Sequence, residues 1–203
     1  ADKPMIVHTI NLLEKVGIKE IVVVVGFAKK SVMNILGSKV AFAEQSKRLG
    51  TGHAALCGFK KLPKDVDNVL IINGDDSAFY PQSLIKSLIK THLLSEAAIT
   101  FLTIEKNNPF GLGRIIRNSS GQVGAIVEEK DATDVQRKIK EINPGCYVFK
   151  MKFLKKYLRK IEKSKVTGEY YLTSIIDLGI KSNEKIETLK GGPIAWRGVN
   201  TKG

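Results

Sequence analysis

The run Glu20-Ile21-Val22-Val23-Val24-Val25 (EIVVVV) decides the fold of this 203-residue chain. An unbroken β-branched run predicts a strand that is buried on both faces, as strands are in parallel sheets. A second apolar run, Asn68 to Ile72 (NVLII), repeats the pattern. Apolar residues at helical spacing precede the first run, from Pro4 to Val16, and follow the second, from Pro81 to Leu93. This alternation predicts the α/β class, with a doubly wound, mostly parallel sheet.

The second half of the chain has a different texture. Gly113 to Arg117 and Gln122 to Glu128 read as paired strands around the turn-forming Asn118-Ser119-Ser120-Gly121. A further helix is predicted from Tyr170 to Ile180. We therefore expect a Rossmann-like, doubly wound mixed sheet in one domain over residues 1–203.

Composition narrows the class of protein. No apolar run approaches the ~20 residues of a membrane-spanning helix, so we expect no membrane partner. Cys57 and Cys146 lack metal-ligand spacing, which favours reduced thiols and a cytoplasmic location. The net charge of +13 suits a polyanion partner, but its lysines are scattered without interleaved aromatic residues. A solvated basic surface is therefore favoured over nucleic-acid binding.

Two turns carry candidate chemistry in the first half. Gly50-Thr51-Gly52 follows one strand and opens a helix, so its backbone N–H groups and the Thr51 hydroxyl can approach a base or phosphate. A purely structural turn would look the same. Asp75 follows the run ending at Ile72, where a carboxylate is placed to hold Mg²⁺ with phosphates. A turn-forming role explains Asp75 equally well, and Asp76 is either a second carboxylate or part of that turn.

Two side chains in the second half can bind hydroxyl groups. Glu128 ends a predicted strand, and its two carboxylate oxygens can accept hydrogen bonds from hydroxyl groups. A lone carboxylate at this position is also typical of a solvent-exposed strand edge. Asn143 lies in Asn143-Pro144-Gly145, where an amide can donate and accept, but the same string is an ordinary turn signal. Spacing alone leaves both alternatives open.

Taken together and in order, the strings of this chain resemble the sugar-phosphate nucleotidyltransferases, most closely the uridylyltransferase domain of bacterial bifunctional N-acetylglucosamine-1-phosphate uridylyltransferases. The resemblance runs from Lys3 to Asn200. The strings that carry it are Lys3-Pro4-Met5, Gln45 to Ala54 (QSKRLGTGHA), Gly74-Asp75, Gly111 to Ile115, Ile126 to Thr133 (IVEEKDAT), Glu141 to Gly145, Glu169 to Thr173 (EYYLT) and Gly198-Val199-Asn200.

The resemblance implies a nucleotide-diphospho-sugar transferase fold, with a nucleotide-binding half over residues 1–105 and a sugar-binding half over residues 106–203. It implies UTP and a sugar-1-phosphate as partners, with N-acetylglucosamine-1-phosphate favoured, and Mg²⁺ as cofactor. It is also compatible with a homo-oligomer. The implied nucleotide contacts are Gln45, Gly50, Thr51 and Asp75. The implied sugar contacts are Gly113, Glu128 and Asn143, with Lys130 as a secondary phosphate neighbour. The implied metal ligands are Asp75 and Asn200.

Three residues depart from the family pattern. Arg48 stands where a second glutamine is expected, which alters the base contact and opens the site to thymidine nucleotides. Leu112 replaces an aromatic residue beside Gly113, and Ser174 replaces an acid. Glucose-1-phosphate uridylyl or thymidylyl transfer therefore stays open, as does a non-catalytic nucleotide-sugar sensor on the same fold.

The family's first strand, its phosphate-binding loop and its catalytic lysine would precede Lys3. The resemblance therefore implies that the catalytic lysine lies upstream of Ala1, so no catalytic residue is assigned within the chain. We expect this sequence to be part of a longer protein and, by itself, not to turn over.

Overall fold

The computed structural model describes residues 3–74 and 77–192. Its helices are α1 (Met5–Lys15), α2 (Lys29–Leu36), α3 (Thr51–Phe59), α4 (Gln82–Ser95), α5 (Asp134–Arg137), α6 (Met151–Tyr157) and α7 (Ser174–Lys181). Its strands are β1 (Val22–Val25), β2 (Ala41–Glu44), β3 (Asn68–Ile72), β4 (Ile99–Glu105), β5 (Gly113–Arg117), β6 (Val123–Val127), β7 (Glu141–Asn143), β8 (Cys146–Lys150) and β9 (Ile186–Lys190). Short 3-10 helices occupy residues 37–39, 77–79 and 158–160.

The sheet is mixed, as predicted, but the expected majority of parallel pairs is wrong. Strands β1 and β2 pair in parallel as a two-stranded sheet, and a seven-stranded sheet has the order β3-β8-β4-β7-β5-β6 with β9 on β4. Five of the seven pairings in the described residues are antiparallel. The reason is β8, which lies antiparallel between β3 and β4. Strands β3 and β4 run in the same direction, but they are not neighbours in the sheet.

Strands β7 and β8 follow each other along the same edge of β4. Ile142 pairs with Ile104 and Tyr147 pairs with Phe101, so the register slips where Pro144 and Gly145 interrupt the ladder. Gly145 has a φ of +76°, a conformation that suits glycine. Beyond this interruption the two strands have different second neighbours, since β8 pairs with β3 and β7 pairs with β5. At Pro144 and Gly145 the chain therefore passes from the part of the sheet that contains β5 and β7 to the part that contains β3 and β8.

Helices cover both faces of the large sheet, which confirms the doubly wound architecture. Alternate residues of each strand enter different cores because side chains alternate across a strand. One core joins Phe101, Tyr147 and Phe149 to α3, α6 and α7, and the other joins Leu102, Cys146 and Val148 to α1 and α4. No helix in the described ranges is long and apolar enough to cross a membrane.

The last helix begins later than its sequence pattern predicts. Helix α7 starts at Ser174 rather than Tyr170. The preceding segment is instead anchored by an isolated antiparallel bridge between Lys163 and Tyr170. The residues Glu169 to Thr173 are thereby free to contact other parts of the molecule, and these contacts build the candidate site.

Candidate active site

Residues Leu49 to Gly52, here called the strap, lead into the first turn of α3, which begins at Thr51, and are attached to Tyr170. The Gly52 N–H donates to the Tyr170 carbonyl (2.7 Å), and the Tyr170 N–H donates to the Leu49 carbonyl (2.8 Å). Gly50 adopts φ +98° and ψ 175°, a region reserved for glycine. A Cβ atom on Gly50 would lie 2.5 Å from the Tyr170 oxygen. The glycines of the strap therefore permit its close approach to the 169–172 segment.

The hydroxyl of Thr51 fixes the strap a second time. It accepts a hydrogen bond from the Leu172 N–H (2.9 Å), a residue 121 positions away in sequence. The hydroxyl hydrogen of Thr51 has no partner of its own in the described contacts, so it can still donate to a ligand. The sequence predicted free N–H groups in this turn, whereas in the structure the Gly52 N–H already donates to the Tyr170 carbonyl.

Gln45 lies just beyond β2 with its amide turned toward the strap. Its Nε2 donates to the Gly50 carbonyl (3.0 Å) and lies 3.1 Å from His53 Nδ1. These two contacts use both hydrogens of the amide nitrogen when the imidazole accepts at Nδ1. The carbonyl Oε1 has no partner among the described contacts. Gln45 thus presents an acceptor beside the strap.

Glu128 lies at the end of β6 and is largely shielded from solvent. Burial raises the pKa of its carboxyl group, and a hydrogen bond from Thr173 opposes that rise. The Thr173 hydroxyl donates to Oε1 at 2.6 Å. A Cβ atom on Gly113 would stand 3.5 Å from each carboxylate oxygen. The same Cβ atom would stand 3.2 Å from Cγ2 of Ile126, so Gly113 lies directly against both Ile126 and the Glu128 carboxylate.

Asn143 ends β7 and is buried together with Tyr147. Its Nδ2 donates to the Tyr147 hydroxyl, and its Oδ1 accepts from the Gly145 N–H (3.2 Å). Gly113 pairs with Asn143 across β5 and β7. One amide hydrogen and one lone pair of Asn143 remain for a ligand. Gly113, Glu128 and Asn143, which the resemblance placed around a sugar, thus lie side by side.

The two groups of predicted residues are joined by consecutive residues of one segment. Leu172 holds Thr51 of the strap, and Thr173 holds Glu128. Thr173 is buried, with 4% of its surface exposed. Sequence reasoning noted the string EYYLT but assigned no site role within it, and it also missed Tyr147. The tyrosine and threonine hydroxyls gave no signal of their own in the sequence.

The predicted metal ligands Asp75 and Asn200 lie outside the described residues. Both flanks of the acidic pair are described: the Thr9 hydroxyl contacts the Gly74 carbonyl (3.3 Å), and the Ser77 hydroxyl donates to the Asn73 carbonyl (2.5 Å). A Cβ atom on Gly145 would lie 3.0 Å from Cγ of Asn73. Asn73, which comes two residues before Asp75 in sequence, thus packs against the break between β7 and β8. Carboxylate and amide oxygens are a donor set that suits Mg²⁺.

Within residues 3–74 and 77–192, no cluster of three or more acidic, histidine or cysteine side chains could hold a metal ion. Of the three departures from the family pattern, Arg48 directly precedes the strap in sequence. The Arg48 guanidinium stands 5.3 Å from the ring centroid of Phe27, whose surface is 84% exposed. Lys130 is exposed on the surface beyond Glu128.

Comparison with known proteins agrees with this geometry. The family model of the nucleotidyl transferases matches residues 1–199. The chain is 40% identical over 189 residues to the bifunctional protein GlmU of Carboxydothermus hydrogenoformans, which covers 93% of the chain and 42% of the relative. It is 39% identical over 200 residues to GlmU of Thermoanaerobacter pseudethanolicus, covering 98% of the chain and 43% of the relative.

The chain belongs to the nucleotidyl transferase family. A third relative, the bifunctional protein GlmU of Caldicellulosiruptor saccharolyticus, is 42% identical over 186 residues, 91% of the chain and 40% of that protein. The chain therefore spans less than half the length of these relatives. The matches confirm the predicted nucleotidyl transferase family and the likeness to bifunctional GlmU proteins.

Proposed function

We propose that the protein transfers the uridylyl group of UTP to N-acetylglucosamine-1-phosphate, giving a UDP-sugar and pyrophosphate. The observation that carries this proposal is the bridge through Leu172 and Thr173, which ties the strap to Glu128. Transfer between two substrates requires that both be held side by side in a fixed orientation. The N-acetylglucosamine preference comes from the family resemblance of the sequence.

In the proposed reaction, a phosphate oxygen of the sugar-1-phosphate attacks the α-phosphorus of UTP. The bond from that phosphorus to the bridging oxygen breaks, and pyrophosphate leaves in line. Such chemistry depends on positioning and charge neutralisation rather than on a protein nucleophile. Asp75 and Asn200 would hold Mg²⁺, which would neutralise phosphate charge. The residues proposed to orient the nucleotide are Gln45, Gly50 and Thr51, and those proposed to orient the sugar are Gly113, Glu128 and Asn143.

The free oxygen of Gln45 supports a base with an imide N–H. Because the Gln45 nitrogen is used by Gly50 and His53, only Oε1 is left to read a base, and it accepts hydrogen bonds. Uracil and thymine carry an imide N–H at the base edge, whereas cytosine has an acceptor nitrogen there. We therefore propose UTP or dTTP as the nucleotide and disfavour CTP.

Arg48 favours thymidylyl transfer as a second candidate. Its guanidinium stands over the exposed Phe27 ring and, as a donor-only group, cannot repeat the contacts of a glutamine amide. The Arg48→Gln variant is expected to raise the ratio of kcat/KM for UTP over dTTP. An unchanged ratio would remove Arg48 from nucleotide selection.

Pyrophosphate release by the intact protein tests the proposed function. The assay pairs UTP, dTTP or CTP with N-acetylglucosamine-1-phosphate or glucose-1-phosphate, with Mg²⁺ and with EDTA. We expect the fastest release with UTP and N-acetylglucosamine-1-phosphate, and none with EDTA. Binding of UDP-N-acetylglucosamine without pyrophosphate release would instead establish a nucleotide-sugar sensor. The two free cysteines agree with a cytoplasmic location, which we propose as well.

A further inference from the structure

A cavity of about 470 Å³ lies between α3 and the 3-10 helix at residues 158–160. This volume is in the range of small-molecule sites. Leu56, Leu158 and Ile161 form apolar walls, and the strap contributes Leu49 and Gly52. None of the residues predicted to contact nucleotide, sugar or metal lines this cavity.

Positive charge at this cavity is not balanced by the protein. Lys60 and Arg159 line it along with His53, and its lining contains no aspartate or glutamate. Both long cationic side chains are exposed, and in the described part of the chain neither forms an ion pair or hydrogen bond. A second cavity, of about 400 Å³, differs in this respect because its lysines are accompanied by Asp65 and Asp67.

We propose that the cavity between α3 and residues 158–161 binds a small organic anion with an apolar body, at a place separate from the nucleotide site. The apolar body would cover Leu56, Leu158 and Ile161. The anionic group would meet Lys60 and Arg159, whose guanidinium can pair with a sulfonate, carboxylate or phosphate through two N–H groups. Apolar walls with a few convergent polar groups are typical of ligand sites.

Because the residues that line the cavity are not those proposed to hold the nucleotide, we expect the ligand and a nucleotide to bind together. Gly52 and His53 belong to the lining of the cavity, whereas Gln45 and Thr51 do not. Saturating UTP should therefore leave the anion bound. This inference does not depend on catalysis, and it can be tested in a protein that turns over no substrate.

The probe is 8-anilinonaphthalene-1-sulfonate, an aromatic sulfonate whose fluorescence rises in apolar sites. The double variant Lys60→Gln/Arg159→Gln is compared with Lys152→Gln/Lys155→Gln, which removes the same charge from the second cavity. We expect one bound probe per chain and a dissociation constant raised about fivefold or more in the first variant only. Because all four side chains are exposed, each variant should retain the wild-type melting temperature.

Three kinds of result would overturn the proposal. An equal loss of affinity in both double variants, or none in either, would place the probe elsewhere on the surface. One-for-one displacement of the probe by UTP would show that the cavity belongs to the nucleotide site. Amide chemical shifts give an independent check, since on probe binding they should move mainly at Gly52, Leu56 and Ile161. Shifts centred on any other segment would contradict the assignment.

Discussion

Replacing Gly50 with alanine should destabilise the protein and loosen the strap. The new Cβ atom would lie 2.5 Å from the Tyr170 oxygen and 3.0 Å from its nitrogen. Both are backbone atoms, so neither can rotate away. The φ of +98° costs an alanine about 1–2 kcal/mol, and relief of the overlap costs about 1–3 kcal/mol more. We expect the free energy of unfolding to fall by about 2–5 kcal/mol in total.

Gly17 offers a matched control. Its φ of +93° is close to that of Gly50, but a Cβ atom there would meet nothing within 4 Å. The Gly17→Ala variant should therefore lose only the conformational contribution of about 1–2 kcal/mol. Urea unfolding followed by circular dichroism measures both variants, and in a domain of this size each kcal/mol shifts the melting temperature by about 2–4 °C.

The two variants should also separate in nucleotide binding. Calorimetry with UTP should show affinity weakened at least about tenfold, or about 1.4 kcal/mol, by Gly50→Ala, and unchanged by Gly17→Ala. Equal loss of stability in the two variants would refute the steric argument, because the Tyr170 contact would then contribute nothing. Lost stability with normal UTP affinity would refute the role of the strap in binding.

Three further outcomes are expected. Thr173→Val should raise the pKa of Glu128 further, since the lost hydrogen bond favours the carboxylate; ¹³C NMR titration measures this, and Thr173→Ser should preserve the wild-type value. Asp177→Asn should stabilise the protein at neutral pH by up to about 1 kcal/mol. Burial raises the folded-state pKa of Asp177, so the stability of the wild-type protein falls as pH rises above about 4. Urea unfolding at pH 3 and pH 7 should therefore show the advantage of the variant only at pH 7. Glu129→Gln should lower the free energy of unfolding by about 3 kcal/mol, because it leaves the guanidinium of Arg114, 1% exposed, without its carboxylate partner at 2.5 Å; an undiminished melting temperature would contradict this.

Local patterns in the sequence predicted local structure well. Asn68 to Ile72 and Gly113 to Arg117 are strands with the predicted bounds, because β-branched runs and turn-forming residues act within a few positions. The place of β8 between β3 and β4 could not be predicted, since it depends on pairing across about 80 residues that leaves no periodic trace. The apolar periodicity from Tyr170 to Ile180 likewise gave no sign that helix α7 begins only at Ser174.

The candidate site shows the same division between local and distant causes. Glu128 and Asn143 were recognised through their strings, and the structure brings them together around Gly113. The bond from Thr173 to Glu128 spans 45 positions and had no counterpart in local spacing. The predicted ligands Asp75 and Asn200 lie outside the described residues, so their part in the site remains a prediction.

The hydrogen bond between Thr51 and Leu172 spans 121 positions, which has a consequence for the order of events during synthesis. A ribosome adding residues from the amino end completes the strap long before its anchoring segment emerges. Until then the strap must remain open, because closing so long a loop gains nothing before its far end exists. A nascent chain halted before residue 170 should therefore bind no nucleotide, and ligand capture becomes a late marker of folding.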